Sequence, residues 1–254
     1  MDQNYFEQIK NSIQDADLIV VGLGEEWNLS PAAQKSEVFA KIQADLASHL
    51  EYRWLLPYFY YKLTDDTLKK AYEKLFQLLE GKNYYVVATT VNRSFVPFVK
   101  NERFVMPCGT EEFMRDAELT PSKEYTVFME SLEAYLEGKI SFDEIQFVKD
   151  EEQQAVPFNN IFASAYKEEG YLTQWNAYMR WLQGTMNRKT CLLELGAGLQ
   201  FPSVFRFPFE KMAYFNQKAS CFRVHKSLYQ LTEEMAERSK SVPVHSVTLF
   251  ADGE

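Results

Sequence analysis

Two short glycine patterns are the parts of this sequence best suited to hold a ligand. One is Gly22-Leu23-Gly24 and the other is Gly196-Ala197-Gly198. Each follows an apolar run, ADLIVV over residues 16–21 and CLLEL over residues 191–195. The second run is too brief and too closely bounded by glycine for a typical helix, and it suits a buried strand. Glycine lets a backbone turn tightly and lie close to another group. A strand, a glycine turn and a helix start leave N–H groups pointing outward, where they can hold a phosphate or a ribose. The same pattern also serves a plain strand-to-helix turn with no ligand, and short glycine patterns alone do not separate the two. Arg206, two residues before Pro208, could grip a phosphate with its planar fork. Its alternative is a salt bridge to Glu194 or Glu210.

Bulk properties narrow the chemistry. The chain has 254 residues, 46% of them hydrophobic, with 20 Phe and 15 Tyr, enough for one sizeable core. Its formal net charge is −9 and no basic cluster stands out, which argues against a nucleic-acid partner. Any bound phosphate must rely on backbone amides and one or two arginines. Cys108, Cys191 and Cys221 form no CxxC pair, and the last two sit in apolar runs as small hydrophobes. The cysteine usage fits a reducing interior. No signal-peptide pattern opens the chain, and no apolar run approaches the roughly 20 residues of a membrane helix. A cytoplasmic protein with no membrane partner is expected.

The elements that must position these residues read as alternating strands and helices. The run at residues 16–24 is a first strand, of the kind that begins a Rossmann-like sheet. An aromatic-rich helical stretch follows, and then a helix capped by Thr64 with Leu68, Ala71, Tyr72, Leu75, Phe76 and Leu79 at helical spacing. Strands are expected at residues 84–88 and 103–106. Residues 111–154 turn acidic and polar around one amphipathic helix, as an inserted module would. A further helix over residues 171–184 leads to the CLLEL strand. The rest reads as a strand at 220–224, a helix from a Ser227–Gln230 capping box, and a last strand at 244–250. The expected fold class is α/β: residues 1–254 form one Rossmann-like domain with a mainly parallel sheet. A helical insertion lies at 25–82 and a small inserted module at 111–156.

Two families share features with this sequence. Leu193-Glu194-Leu195-Gly196-Ala197-Gly198 resembles the first motif of SAM-dependent methyltransferases. That motif sits on the first strand of its sheet, whereas here only about 55 residues remain, too few for the further βα units of ~30 residues each. Gln200 also replaces the third glycine. The order of the pieces more closely resembles the sirtuins, in particular a bacterial SIR2-like branch. A sirtuin begins with a strand ending in a GAG loop, matched by Val21-Gly22-Leu23-Gly24. Thr89-Thr90-Val91-Asn92 stands for its TQNID-type motif and Cys108-Gly109 for its histidine–glycine pair. Residues 111–154 occupy the place of its zinc module, and the stretch from Gly196 to Glu210 echoes a LELGVG–P–IRFPFE phrase of the SIR2-like branch. His225 stands where the last strand usually ends in asparagine.

The resemblance implies NAD or ADP-ribose as ligand. It places Gly22, Gly24, Thr90, Asn92, Gly196, Gly198, Arg206 and His225 around that ligand, with Asn92 and Cys108 as the catalytic candidates. It implies a deacylase or an ADP-ribosyl transferase, with an acylated or lipoylated protein as a possible substrate. A member that binds without catalysis, or a bare scaffold, is the alternative. The departures matter too. No cysteine lies between Thr110 and Thr190, so the four-thiolate zinc site cannot form and no metal is expected. Asp150-Glu151-Glu152 reads as a solvated acidic turn. The base histidine is replaced by Cys108, a thiol better suited to packing. Glu25 and Glu26 would repel a pyrophosphate, so either they turn outward or the first loop does not bind phosphate.

Overall fold

A computed structural model describes residues 2–100, 102–112, 122–235 and 237–253. Six strands form one sheet, all parallel: β1 (Leu18–Leu23), β2 (Tyr84–Ala88), β3 (Phe104–Val105), β4 (Thr190–Leu195), β5 (Ala219–Val224) and β6 (Ser239–Val242). Every residue of β1, β2 and β4 is buried, as strands covered on both faces must be. The order is β3-β2-β1-β4-β5-β6. Val21 pairs with Val86 on one side and Leu193 on the other, which fixes the register of the three central strands. Both edge strands are short, two residues in β3 and four in β6. The order in which strands are added reverses between β1 and β4, which makes their carboxyl ends the switch point of the sheet.

Helices cover both faces. On one side lie α1 (Asp2–Asp15), α4 (Asp66–Leu78) and α8 (Ser246–Asp252), whose apolar residues join those of the strands. On the other lie α6 (Glu169–Gln183) and α7 (Arg206–Phe215), through Tyr178, Phe209 and Ala213. The cap of α4 is Asp65, one residue later than expected: its carboxylate accepts from the Leu68 N–H at 2.9 Å. Thr64 instead turns its hydroxyl to the Tyr60 carbonyl and Ser94.

The remaining helices build a separate lobe. It contains α2 (Glu37–Ser48), α3 (Leu56–Lys62) and α5 (Lys123–Leu136), with a 3-10 turn at Leu50–Leu55. The expected insertions at 25–82 and 111–156 contribute to one common apolar cluster here, in which Trp54, Tyr58 and Phe59 meet Phe128, Tyr135 and Phe158. Residues 66–78 are not part of it, because α4 faces the sheet. Polar ties cross the lobe: Tyr58 donates to Glu133 at 3.0 Å and Tyr135 to Asp45 at 2.6 Å. The acidic turn is solvated, with the Asp150 carboxylate accepting from the Glu152 and Gln154 amides. Part of the second module, residues 113–121, lies outside the described residues.

Two C-terminal expectations are corrected. Residues 244–250 are not a strand. Ser246–Asp252 is helix α8, with Val247, Phe250 and Ala251 all buried. Packing against α1 and α4 outweighs the strand preference of its β-branched residues, and the Phe6 and Phe250 rings meet edge to face at 5.8 Å. No helix grows from Ser227 and Gln230 either. The amides of Ser227 and Leu228 donate to the His225 ring, and Arg223 holds the Gln230 carbonyl at 2.7 Å, so the chain stays in a loop.

Candidate functional site

The two glycine turns meet at the carboxyl ends of β1 and β4, at the switch point of the sheet. They are laced to each other by backbone hydrogen bonds: Gly24 N–H donates to Leu195 O at 2.8 Å, and Glu26 N–H to Gly196 O at 3.1 Å. Each glycine has a reason within the protein itself. A Cβ on Gly24 would lie 2.2 Å from Gly196 O, and one on Gly22 would enter the Phe205 ring at 2.4 Å. Gly196 has φ +69, and a side chain there would strike Glu26 and Ser246. Gly198 leaves room for the Glu25 carboxylate.

Of the two alternatives left open for Glu25 and Glu26, the outward orientation is not the one observed: both carboxylates turn inward. Glu26 is 9% exposed. Its carboxylate accepts from Lys226 N–H at 3.0 Å, Ser246 N–H at 2.7 Å and the Ser246 hydroxyl at 2.8 Å. Glu25 accepts the Gly198 N–H at 2.5 Å. Two histidines flank Glu26, His225 at 3.6 Å and His245 at 3.9 Å. Burial lowers the pKa of both below the ordinary histidine value, against the opposing pull of Glu26. His225 Nδ1 accepts two amide N–H bonds, at 3.0 and 2.9 Å, so the neutral ring carries its proton on Nε2. Its approach to Glu26 is therefore not an ion pair.

The other expected site residues serve the protein's own interior. Asn92, expected to meet a ribose or a water, is fully buried and its amide is fully used. Its Nδ2 lies within hydrogen-bonding distance of Asn28 O, Tyr60 O and the Thr64 hydroxyl, and its Oδ1 accepts from Ser94 N–H. Thr90 is also buried, donating to Asn28 Oδ1 and accepting from Asn92 N–H. Cys108 is 2% exposed, and burial followed by the nearby Glu25 charge pushes its thiol up to about 12. Such a thiol is neither base nor nucleophile at neutral pH. Arg206, a candidate for phosphate, donates to the carbonyls of Ala197 and Leu228 at 3.1 and 2.9 Å and lies 3.4 Å from Glu194. The salt-bridge alternative is the one observed.

Sequence reading left Arg223 unremarked. Glu194 sits fully buried in β4, 2.8 Å from the Arg223 guanidinium, which also reaches Glu210 at 2.7 Å. A lone acid inside the run CLLEL was the signal for such a partner, because a buried charge must be paired. Asn28, which organises Thr90, Val91 and Asn92, had no such signal.

As arranged, the donors identified at the switch point are held by the protein's own acids, and a phosphate reaches them only by displacing a carboxylate. The Gly198 amide and the donors at Lys226 and Ser246 are occupied by Glu25 and Glu26. Among the described residues, no three His, Cys, Asp or Glu side chains gather to hold a metal, and no helix is long and apolar enough to cross a membrane. A surface depression lined by Leu79, Asn83, Tyr84 and Arg103 lies at the amino end of β2, away from the glycine turns.

No family model matches the chain. It is 21% identical over 263 residues to a protein ADP-ribosyltransferase of Staphylococcus aureus strain Mu50, covering 92% of this chain and 82% of that relative. Among solved structures it is similar to a sirtuin studied for substrate affinity, with TM-score 0.55 and 15% identity, over 97% of this chain and 95% of that one. Sir2Tm bound to a propionylated peptide gives 0.54 and 13%, over 97% and 95%. A Sir2 complex with an inhibitor, 2'-O-acetyl-ADP-ribose and a deacetylated peptide gives 0.54 and 14%, over 97% and 96%. The chain is an α/β protein of the Rossmann type, and more particularly it has the fold of the Sir2 sirtuins.

Proposed function

We propose that this protein is SIR2-like in function and works on the ADP-ribosyl part of NAD, with ADP-ribosyl transfer favoured over deacylation. The reading is supported above all by two glycine turns meeting at the switch point of a parallel sheet that follows sirtuin structures over 97% of the chain. The likeness to an ADP-ribosyltransferase points the same way. Deacylation is disfavoured because Cys108, in the place of the base, keeps its proton to about 12. Gly22, Gly24, Gly196, Gly198 and His225 are the residues proposed to border the ligand, and a cytoplasmic setting belongs to the same reading.

A second reading, a non-catalytic NAD or ADP-ribose binder, draws support from the buried Asn92 amide, whose groups are spent on the protein's own interior. One experiment separates the two. The protein is incubated with NAD and with acylated and lipoylated carrier proteins, and released nicotinamide and carrier mass are followed. A carrier gaining one ADP-ribose supports transfer. A rise in melting temperature with ADP-ribose but no turnover supports the binder. No effect of NAD or ADP-ribose at millimolar concentration leaves a scaffold of sirtuin fold.

A further inference from the structure

The two carboxylates at the switch point are held very differently. Glu26 is buried, satisfied by three donors and pinned by the close approach of Gly196. Glu25 is half-buried, and its carboxylate takes one hydrogen bond, from the Gly198 N–H at 2.5 Å. Among the described residues it makes no ion pair. Arg206, the nearby cation, is spent on two carbonyls and Glu194. Glu25 Oε2 lies 2.9 Å from where a Cβ on residue 198 would stand, so a side chain there would push the carboxylate off the amide.

A carboxylate oxygen and a phosphate oxygen offer a backbone amide the same thing, an anionic acceptor in a charge-assisted hydrogen bond. We infer that Glu25 is an internal anion seated in the phosphate position of the second glycine loop, displaced when a pyrophosphate-bearing ligand binds while Glu26 stays in place. The inference rests on the ADP-ribose reading given above and adds a regulatory contact to it. While Glu25 competes, the ligand exchanges one anion for another at Gly198 and gains little from that amide. Removing the carboxylate frees the donor and also removes a like charge from the seat. A ligand without phosphate does not meet this competition.

Calorimetric titration of ADP-ribose, and separately of adenosine, into the wild type, Glu25→Ala and Glu25→Gln tests this. Melting curves establish that each variant is folded. ADP-ribose is expected to bind Glu25→Ala at least about tenfold more tightly than wild type, a gain of about 1.4 kcal/mol. Glu25→Gln, neutral but still an acceptor, should show a smaller gain, and it decides the matter should the alanine variant not fold. Adenosine affinity should not change. Equal or weaker ADP-ribose binding in the folded variants, with the wild type binding, overturns the internal-anion proposal and leaves the ADP-ribose reading intact. A tighter fit for adenosine as well as ADP-ribose also overturns it, since the gain then has nothing to do with phosphate. Absence of ADP-ribose binding in all three proteins overturns both.

Discussion

The lobe and the carboxyl edge of the sheet solve opposite problems. The lobe holds its segments by aromatic packing: Trp54 meets Phe158 at 5.3 Å and Tyr52 stacks on Phe147 at 4.3 Å. Each such pair is worth roughly 0.5–1.5 kcal/mol beyond the area buried. The carboxyl edge adds named hydrogen bonds to two acids, beside local packing such as Phe205 against Gly22. The lobe thus tolerates drift in sequence wherever volume is kept, whereas the edge depends on particular atoms. One consequence is that changes in the lobe should be read in stability, and changes at the edge in ligand binding as well.

The largest effect tests the lobe. Phe158→Ala should cost about 3–5 kcal/mol by opening a cavity in a fully buried cluster, measured by urea denaturation. Hydrogen exchange should show α3 and α5 losing protection before β1 and β4. Equal loss in the sheet would break the contrast by showing one cooperative core. Next comes the charge pair under the edge. Glu194→Ala leaves the Arg223 guanidinium buried and without its carboxylate at 2.8 Å, at a cost of about 3 kcal/mol or more. A double change, Glu194→Leu with Arg223→Met, should recover most of that stability. Glu26→Ala strips three donors of their acceptor and should lose about 2 kcal/mol, without the gain in ADP-ribose affinity expected of Glu25→Ala.

The smallest effect is on pH. Burial lowers the pKa of His245, so the unfolded chain binds a proton there more readily than the folded one. Stability should therefore fall as pH drops through and below the ordinary value of 6.5. His245→Asn should flatten the melting-temperature profile as pH falls through the ordinary histidine value. An unchanged slope would show that His245 is not part of the acid-held edge.

Much of the sheet was legible because parallel strands buried on both faces write continuous apolar runs, as in LIVVGL and TCLLEL. The glycine turns were legible for a related reason: only close approach or a positive φ demands them. The C-terminal helix was not, since its residues carry strand preference and its helical state comes from α1 and α4. Nor was the direction of Glu25 and Glu26, which depends on donors 173 and 220 residues away. Asn92 illustrates the limit most sharply. Its place after β2 was readable, but its three partners on two other segments were not, and those partners turn a ligand-like amide into an internal tie.

The edges of the sheet bear on how the protein behaves in a crowded solution. An open strand is a template on which another chain can lay its own backbone. Here β3 offers two residues and β6 offers Ser-Lys-Ser-Val with Lys240 exposed to solvent. A neighbour seeking a seventh strand finds a short ledge and a charge, and at a net charge of −9 it is also repelled at long range. Both ends of the six-stranded sheet thus present little unpaired backbone to a second copy of the chain.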